Sequence, residues 1–502
     1  MKYNQGGCDA MGSPFIDGRL KHFIDNKYVE ADSDKYTLSY DPGVGKPIAK
    51  VPVLSSSDVD RAVRSAAAAF DSWANLPIFE RLQYLVRLKI LMEENLENFA
   101  RLLARNVGKT IREGRAEMRR AIEAVDASLG TPHLLMLTRK VMNLTRTIPE
   151  IDMECIREPL GVFAVISPFN FPIMIPMWFV PWAIILGNTV VIKPSPLTPI
   201  PITTFVELFE KAGFPPGVVN LLNGEGPAAE DLLKHPEVAG ACFVGSSTVG
   251  ERVYSISCSH GKRAVCQCSA KNPVVLMPDA VPEPTVENIV GGFFDMAGQR
   301  CLAPGLLITV GDAYERFVKA IVNRAKKVRV DYQLLEETDM GPLVNEKRRE
   351  RVIGMIQGAV DEGVKLLLDG RTIKVSDDYK NGFYLGPTIL DDVKQGMEIE
   401  QEEVFGPVMP IVRASSFEEA VEIANNRQYG NTGTIYTSSG KWFREFARRV
   451  KAGNIACNMA VAQPQQYFPF PARKRSHYGP LTGQTGAIDF FTDMKVIMSR
   501  WW

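Results

Sequence analysis

The segment from Asp58 to Leu103 alternates polar and apolar residues at the spacing of an α-helix. Such a pattern is typical of helices that turn one apolar face toward a core and the other toward water. The apolar positions are Val59, Ala62, Val63 and Ala66, followed by Leu82, Leu85, Leu88 and Leu91. The segment therefore predicts helices packed on a sheet.

From Gly161 onward the pattern changes to short apolar runs, each followed by turn residues and a helical segment. Four runs predict strands at Val162–Ile166, Thr189–Ile192, Val218–Leu222 and Gly240–Val244. Strands that alternate with helices in this way form a parallel sheet with right-handed crossovers. This part of the chain predicts a parallel α/β domain.

A second α/β series begins near Lys271 and continues to about Asn454. The strands that it predicts are Pro273–Met277, Gly305–Thr309, Gly363–Leu367 and Met409–Arg413. Two stacked α/β domains are expected, since a single core seldom grows beyond about 300 residues. The tail, Tyr467–Trp502, contains the strand-like run Val496–Met498 and is too apolar to remain loose. We expect it to dock on another subunit.

The stretch Val162–Ile192 contains no charged residue and is long enough to cross a bilayer. Four prolines and a Gly-Asn turn interrupt it, and proline is poorly tolerated inside a helix. These interruptions are Pro168, Pro172, Pro176, Pro181 and Gly187-Asn188. The stretch therefore predicts a buried β-α-β unit, and we expect no membrane partner.

The chain has 58 basic (Lys+Arg) and 58 acidic (Asp+Glu) residues, so it carries no net formal charge. Nucleic acid is therefore not an expected partner, and a small molecule is. Eight cysteines without regular spacing and the absence of a secretory signal predict a reducing, cytoplasmic location. Dispersed histidines and a single close cysteine pair, Cys266 and Cys268, predict no metal site.

Cys301 lies in the segment Ala297–Ala303, beside the cation of Arg300 and among small residues. A neighbouring positive charge favours the thiolate, and small neighbours let a carbonyl carbon approach the sulfur. These features predict a nucleophile. The alternative is a small buried apolar side chain, which is the commoner role of an isolated cysteine.

Two further loops follow predicted strands. Phe243–Gly250 ends a strand and opens a helix, and such a helix start binds anions, although Ser246 alone also fits a plain helix cap. The segment lacks the usual dinucleotide fingerprint, so a nucleotide here binds by a variant geometry. Asn170, held in Ser167–Pro172, can donate a hydrogen bond to a developing oxyanion or satisfy a turn.

Taken together, these segments resemble the aldehyde dehydrogenase superfamily over nearly the whole chain. The matching segments, in order, are Pro168–Pro172, Ile192–Ser195, Gly245–Gly250, Lys271–Pro273, Gly298–Cys301 and Glu402–Pro407. The resemblance implies an α/β fold with a Rossmann-type cofactor domain, an α/β catalytic domain and a small β oligomerisation domain. It places the cofactor domain at 1–135 and 158–270, the catalytic domain at 271–465 and the oligomerisation domain at 136–157 and 466–502. It implies a dimer or a tetramer, and the leading expectation is a homotetramer.

The resemblance also implies residue roles. Cys301 attacks the aldehyde to give a thiohemiacetal and then a thioester, while Asn170 and the Cys301 N–H hold the oxyanion. Glu403 binds the nicotinamide ribose, Lys193 and Ser195 the adenosine ribose, and Ser246 the pyrophosphate. The remaining cofactor-binding positions are Ile166, Ser167, Phe169, Pro196, Gly245 and Phe405.

Within the superfamily the chain is most similar to methylmalonate-semialdehyde dehydrogenases. Arg120 and Arg300 match the pair that holds the substrate carboxylate in that group, although Arg120 beside Arg119 also fits a solvated helix charge. Gln267 stands where most of the superfamily has the Glu that activates water, and an amide cannot accept that proton at neutral pH. Methylmalonate-semialdehyde dehydrogenases also lack this Glu and pass the acyl group to CoA. Gln267 thus permits CoA as co-substrate, while leaving water activated by another group open.

Pro196 replaces a Glu that chelates the adenosine ribose in NAD-specific members and would repel a 2′-phosphate. The replacement predicts a preference for NADP, with NAD binding as the alternative if Pro196 only shapes a turn. A chain that is close to the methylmalonate group but prefers NADP is similar to the archaeal glyceraldehyde dehydrogenases. The leading prediction is therefore oxidation of a small polar aldehyde, D-glyceraldehyde to D-glycerate, with NADP.

The first alternative is CoA-acylating oxidation of methylmalonate or malonate semialdehyde, which the two arginines favour. The second is a non-catalytic binding protein, which the missing Glu suggests. Retention of Cys301, Asn170, Lys193 and Glu403 argues against that second alternative.

Overall fold

The computed structural model describes residues 13–135, 140–142, 150–481, 483 and 485–501. Cys8, Trp502 and residues 136–139 and 143–149 of the predicted oligomerisation segment lie outside the described residues.

The first half of the chain forms an eight-stranded sheet whose five central strands are parallel. Its strands, in spatial order, are His477–Tyr478, Arg263–Gln267, Val238–Val244, Val162–Ile166, Thr189–Lys193, Val219–Leu221, His22–Ile24 and Lys27–Val29. The four strands predicted from apolar runs lie together in its centre. Strands in this position are buried on both faces, and this is why each of them has a continuous apolar sequence. The edge strand His477–Tyr478 comes from the tail and pairs with Cys266 and Gln267.

The second series forms a seven-stranded sheet. In spatial order its strands are Lys365–Leu368, Thr388–Asp391, Val408–Ala414, Pro304–Val310, Asn272–Leu276, Thr432–Tyr436 and Asn454–Cys457. All pairs are parallel except the edge pair of Lys365–Leu368 with Thr388–Asp391. The predicted run Gly363–Leu367 is displaced by two residues at its start, because Gly363 has φ +91° and ends the preceding helix instead.

A three-stranded antiparallel sheet combines the tail with the segment before the first parallel strand. It contains Thr492–Arg500, Ile151–Pro159 and Lys140–Val141. The predicted run Val496–Met498 lies inside the first of these. Four short strands form another sheet, Phe15–Ile16, Arg19–Leu20, Lys46–Pro52 and Tyr36–Asp41, and Tyr429–Gly430 pairs with Arg473–Lys474.

Helices cover the faces of the two large sheets. Around the first sheet they are Ser56–Ala74, Ile78–Glu94, Leu96–Val107, Ile111–Leu129, Thr131–Leu135, Met174–Ile185, Ile200–Phe205, Glu207–Lys211, Asp231–Lys234 and Ser247–Ser259. The remaining helices are Pro282–Phe294, Ala313–Ala325, Glu346–Asp361, Glu398–Gln401, Phe417–Asn425, Gly440–Arg449 and Thr485–Phe491. Short 3₁₀ turns lie at Pro227–Glu230, Asp295–Gly298, Gly370–Thr372 and Asp377–Tyr379.

Helix starts in the N-terminal region follow from local sequence. Ser55 with Asp58, and Thr110 with Glu113, form reciprocal capping boxes in which each side chain bonds the other residue's backbone N–H. The predicted helical segment 58–103 divides into three helices, with Pro77 at one boundary and Asn95 at the other. The stretch 162–192 folds as predicted into strand, helix and strand, and most of its residues are buried in the core around the first sheet.

Among the described helices, none is both long and apolar enough to span a membrane. In the same residues, no group of three His, Cys, Asp or Glu side chains could hold a metal ion.

Candidate active site

A cavity of about 630 Å³ opens where the carboxyl ends of the first sheet face the second sheet. This is the position at which open α/β sheets bind ligands, and the volume lies within the range of about 300–1,000 Å³ typical of small-molecule sites. We call it the cofactor cavity. Its wall includes Asn170 and Cys301 together with Ser167, Phe169, Lys193, Ser195, Pro196, Gly245, Ser246, Glu403 and Phe405. Ile166 ends the strand just before this wall and does not line it.

The nucleophile loop, residues 295–303, carries Cys301 at the floor of the cofactor cavity. The carbonyl oxygen of Cys301 accepts hydrogen bonds from the side-chain amides of Asn272 (3.0 Å) and Asn431 (3.2 Å). These two amides connect the loop to adjacent strands of the second sheet. The position of the thiol is therefore determined by the sheet rather than by the loop alone.

The protonation of Cys301 differs from the expectation drawn from its neighbour. Desolvation raises the pKa of Cys301 to about 12, and the carboxylate of Glu403 acts in the same direction. The backbone N–H groups of Cys301 and Leu302 and the charge of Arg300 oppose this rise in pKa. The charge of Arg300 thus lowers the pKa of Cys301, as expected from the sequence, but its effect is the smallest of those named here. Together these effects favour the neutral thiol over the thiolate.

The oxyanion loop, residues 167–174, places Asn170 beside the nucleophile loop. Asn170 is 4% exposed, and its side-chain amide donates to the carbonyl oxygen of Gln299 at 2.9 Å. An amide nitrogen has two N–H donors, so one remains for an oxyanion formed at Cys301.

Lys193, Ser195 and Pro196 line one end of the cavity, which we call the adenosine end after the role predicted for these residues. Burial lowers the pKa of Lys193 to about 8, and the Glu225 carboxylate opposes that shift. Glu225 is a residue that the sequence analysis missed, because it lies in a glycine-rich turn with no motif of its own. Its negative charge partly offsets the cation of Lys193.

The middle of the cavity is suited to phosphate. Ser246 caps the helix Ser247–Ser259 by backbone alone, since its side chain makes no capping hydrogen bond. A Cβ atom on Gly245 would lie 2.4 Å from the Phe243 ring, so only glycine fits there. The hydroxyl of Ser167 is buried without a partner among the described residues. The Ser247 N–H at this helix start donates to the Ser269 hydroxyl at 3.3 Å. The helix start without a side-chain cap from Ser246, the close glycine and the unsatisfied Ser167 hydroxyl together fit a dinucleotide.

The other end of the cavity contains Glu403, Phe405 and Phe169. Glu403 accepts from the Ala270 N–H at 2.9 Å, and burial raises the pKa of its carboxyl group. Two cations that the sequence analysis missed, Arg348 and Arg351, also line this end. They lie in a charged helical run that reads as a solvated face, so no sequence signal distinguishes them.

Gln267 lies outside the cofactor cavity. It is 5% exposed and lines a separate pocket of about 30 Å³ with Trp178, Gln465 and Phe470. Its Oε1 atom and the Trp178 Nε1 atom are buried without hydrogen-bond partners among the described residues. A water-sized polar pocket with one free acceptor and one free donor therefore lies beside the position expected for a base.

Arg120 and Arg300 are not brought together. Arg120 donates to Glu123 (3.0 Å) and to Gln465 (3.1 Å), which lines the Gln267 pocket. Arg300 donates to the carbonyl oxygens of Gly291 (3.0 Å) and Gly292 (2.7 Å). It faces a different, charged cleft of about 430 Å³ that also contains Asp295. Only Arg120 is therefore adjacent to the Gln267 side in this structure.

The fold described above is shared with oxidoreductases that act on aldehydes. The aldehyde dehydrogenase family model matches residues 28–497, so this chain belongs to the aldehyde dehydrogenase family, as its sequence motifs predicted. The α/β fold expected from that resemblance is confirmed.

Several relatives have more specific names. The chain is 38% identical over 483 residues to malonate-semialdehyde dehydrogenase 1 of Oceanobacillus iheyensis, covering 96% of this chain and 98% of that protein. A putative methylmalonate-semialdehyde dehydrogenase from Sinorhizobium meliloti, solved with NAD, has a TM-score of 0.94 and 35% identity over 96% of this chain and 98% of that one. Methylmalonate-semialdehyde dehydrogenase from Oceanimonas doudoroffii has a TM-score of 0.93 and 33% identity, with 96% and 98% covered.

Proposed function

We propose that this chain is an NAD(P)-dependent semialdehyde dehydrogenase that oxidises malonate or methylmalonate semialdehyde and passes the acyl group to CoA. The observation that supports CoA as the acyl acceptor is Gln267, a buried side-chain amide that cannot accept a proton from water at neutral pH. The names of the relatives support the same substrate class. They favour it over D-glyceraldehyde, the substrate that the sequence motifs favoured.

In the proposed reaction, the Cys301 thiol gives its proton to solvent and the sulfur attacks the aldehyde carbon, so that the carbonyl oxygen becomes the oxyanion of a thiohemiacetal. The second N–H of the Asn170 amide and the N–H of Cys301 donate to the resulting oxyanion. The bound nicotinamide supplies the hydride acceptor for oxidation, which leaves a thioester on Cys301. The CoA thiol then attacks the thioester carbon, the C–S bond to Cys301 breaks, and Cys301 is released as a thiolate that regains a proton.

We propose that Arg120 binds the carboxylate of the substrate, because its guanidinium lies against Gln465 in the wall of the Gln267 pocket. An arginine that pairs with a carboxylate binds it by two parallel hydrogen bonds and distinguishes it from a neutral group. Arg300 joins this site only if it leaves the carbonyl oxygens of Gly291 and Gly292. For that reason D-glyceraldehyde, which needs no second cation, stays the second candidate substrate.

We propose that the protein prefers NADP and can bind NAD in its place. Its support is Pro196, which lines the adenosine end of the cavity beside Lys193 and brings no negative charge. Glu225 weakens this preference by its effect on Lys193. We therefore expect the affinities for NADP and NAD to differ by a small electrostatic contribution.

We also propose the domain division and assembly that the resemblance implied, with cofactor, catalytic and oligomerisation domains in a cytoplasmic homotetramer. The strand Thr492–Arg500 supports this, because Met494, Val496 and Met498 on one of its faces are 56%, 55% and 68% exposed. Alternate apolar residues exposed on one strand are typical of a surface covered by another subunit.

The experiment that tests the function is a matched assay of NADPH and NADH formation. The substrates are malonate semialdehyde, methylmalonate semialdehyde and D-glyceraldehyde, each with and without CoA. We expect sustained turnover of a semialdehyde only with CoA, and an acyl-CoA product. Sustained oxidation of D-glyceraldehyde alone, without CoA, would instead establish the second candidate.

A further inference from the structure

Three charged residues at the start of the helix Ile111–Leu129 contact the two loops that carry the reacting groups. These are Lys109, Glu113 and Glu117, to which the sequence analysis assigned no role. We propose that they are positioning residues that set Asn170 relative to Cys301. The inference rests on the proposed oxyanion role of Asn170.

Lys109 and Glu117 form an ion pair whose two side chains are 0% exposed. The Lys109 ammonium group also donates to the backbone carbonyl oxygen of Asn170 at 2.7 Å. It lies 4.3 Å from the centre of the Phe171 ring, the next residue of the oxyanion loop. Lys109 therefore holds the backbone of the residue whose side chain would bind the oxyanion.

Glu117 holds the other end of the same loop. Its Oε1 atom accepts from the backbone N–H groups of Ile173 (3.0 Å) and Met174 (3.1 Å), where the helix Met174–Ile185 begins. Negative charge at a helix N-terminus is stabilised by the free N–H groups there. Together, Lys109 and Glu117 contact the oxyanion loop at residue 170 and at residues 173 and 174.

Glu113 connects the same helix to the nucleophile loop. One of its oxygens accepts from the Thr110 N–H and the other from the Met296 N–H, both at 2.7 Å. Met296 and the two residues after it have φ values of +53°, +50° and +68°. Left-handed backbone at non-glycine residues persists only where surrounding contacts enforce it. Glu113 supplies one such contact five residues before Cys301.

Stability alone does not account for the buried pair. A buried ion pair is often no more stabilising than well-packed apolar residues of the same volume, because both charges lose their hydration. Here, however, both charges are also bonded to backbone groups of the oxyanion loop, which apolar side chains cannot hold. Because Glu113 and Glu117 are four residues apart, they lie on the same side of one rigid helix. The helix therefore fixes both loops from one support.

The first test is the double variant Lys109→Met/Glu117→Gln. It removes both charges at nearly constant volume, and the glutamine oxygen still accepts from the Ile173 and Met174 N–H groups. Besides the ion pair itself and the contact of Lys109 with the Phe171 ring, the variant removes the donor to the Asn170 carbonyl oxygen. Since a displacement of about 1 Å can cost about 100-fold in rate, we expect kcat to fall about 10- to 100-fold. We expect dinucleotide Kd and Tm to stay near the wild-type values.

The second test uses the rate at which iodoacetamide alkylates Cys301. Glu113→Ala frees the Met296 N–H, so we expect alkylation to become several-fold faster. The variant Lys109→Met/Glu117→Gln should leave that rate unchanged, because its contacts are with the other loop. Arg119→Gln, on the exposed face of the same helix, is the matched control and should change none of these quantities.

Two outcomes separate the inference from the proposed function. If Asn170→Ala retains wild-type kcat, the oxyanion role itself is wrong. If Asn170→Ala loses activity while a folded Lys109→Met/Glu117→Gln variant keeps wild-type kcat, the positioning role is wrong. Should the double variant not fold, Lys109→Gln, which is too short to reach the Asn170 carbonyl, provides the same comparison of kcat with Kd.

Discussion

The cofactor cavity and the Gln267 pocket, which we propose as the cofactor side and the substrate side of the site, are built differently. On the cofactor side, a cavity of about 630 Å³ is already open and contains almost all the residues predicted to bind the dinucleotide. On the proposed substrate side, the Gln267 pocket is only about 30 Å³, and Arg120 is bonded to Gln465 in its wall. Arg300 faces a separate cleft and donates to the Gly292 carbonyl oxygen. The cofactor side is thus already open, whereas a substrate carboxylate must replace a hydrogen bond that the protein already makes to its arginine. Affinity for cofactor and selectivity for aldehyde should therefore respond to different mutations.

The largest effect is expected from Cys301→Ala, which removes the nucleophile shared by both sides. Loss of a covalent nucleophile commonly costs about 10⁴-fold or more in kcat. Dinucleotide Kd, measured by fluorescence titration, should stay within about twofold, since the cavity wall is otherwise intact. Unchanged turnover would contradict the proposed mechanism.

Gln267→Glu should alter only the acceptor step. A carboxylate at this position can accept a proton from water, and general-base catalysis contributes about 10²- to 10⁴-fold. We expect CoA-independent NADH formation to rise by about 10²-fold, with the free acid as product. Gln267→Asn is the control and should keep the dependence on CoA. If Gln267→Glu leaves the CoA-independent rate unchanged, the amide is not what prevents hydrolysis.

Arg120→Gln tests the substrate side through selectivity. Loss of a hydrogen bond to a charged group costs about 1.5–3 kcal/mol, or about 10- to 100-fold. We expect kcat/KM to fall by that factor for malonate semialdehyde and to stay constant for propanal, which has no carboxylate. The neighbouring exposed residue provides the control, Arg119→Gln. An equal loss for both aldehydes would show that Arg120 has only a structural role.

Cofactor preference should change in opposite directions in two variants. Pro196→Glu adds a negative charge beside the 2′-phosphate and Glu225→Gln removes one that acts on Lys193. We expect the ratio of NADP to NAD affinity to fall about tenfold in the first and to rise severalfold in the second. Glu237→Gln, on the surface, is the control. Equal changes for both dinucleotides would contradict the electrostatic explanation.

The smallest mutational effect is expected at Glu403, whose charge contributes to the pKa of Cys301. With a pKa raised to about 12, the thiolate fraction should increase about tenfold per pH unit, so alkylation should accelerate from pH 7 to pH 10 without a plateau. Glu403→Gln removes a charge that raises this pKa, so alkylation should be severalfold faster at each pH. A plateau near pH 8 in the ligand-free protein would show that the thiol is less desolvated than in this structure.

The sequence predicted the parts of the fold that depend on continuous apolar runs. Val162–Ile166 was predicted to the residue, because a strand buried on both faces needs no periodicity to be recognised. Thr432–Tyr436 was not predicted, since its threonines and glycine do not form an apolar run, although all five residues are buried. The pairing of His477 with Gln267 depends on a contact between segments 210 residues apart along the chain, which no local pattern shows.

For the site, motifs predicted the residues that line the cofactor cavity but not those that support them. Glu117 and Arg348 carry charges within helices and Lys109 lies just before one, positions where a solvated side chain is the usual interpretation. Burial of Lys109 becomes visible only when the oxyanion loop packs against it. The orientation of Arg300 was also not predictable, because it depends on the left-handed turn at residues 296–298.

The most direct test of CoA as acyl acceptor is rapid mixing of enzyme, NADP and malonate semialdehyde, with CoA present or absent. Without CoA, we predict a burst of about one NADPH per Cys301 followed by negligible turnover, because the thioester formed there has no base to activate water. With CoA, the same burst should continue as steady turnover that yields acyl-CoA. Steady turnover at an equal rate without CoA would contradict the assignment of CoA as acceptor.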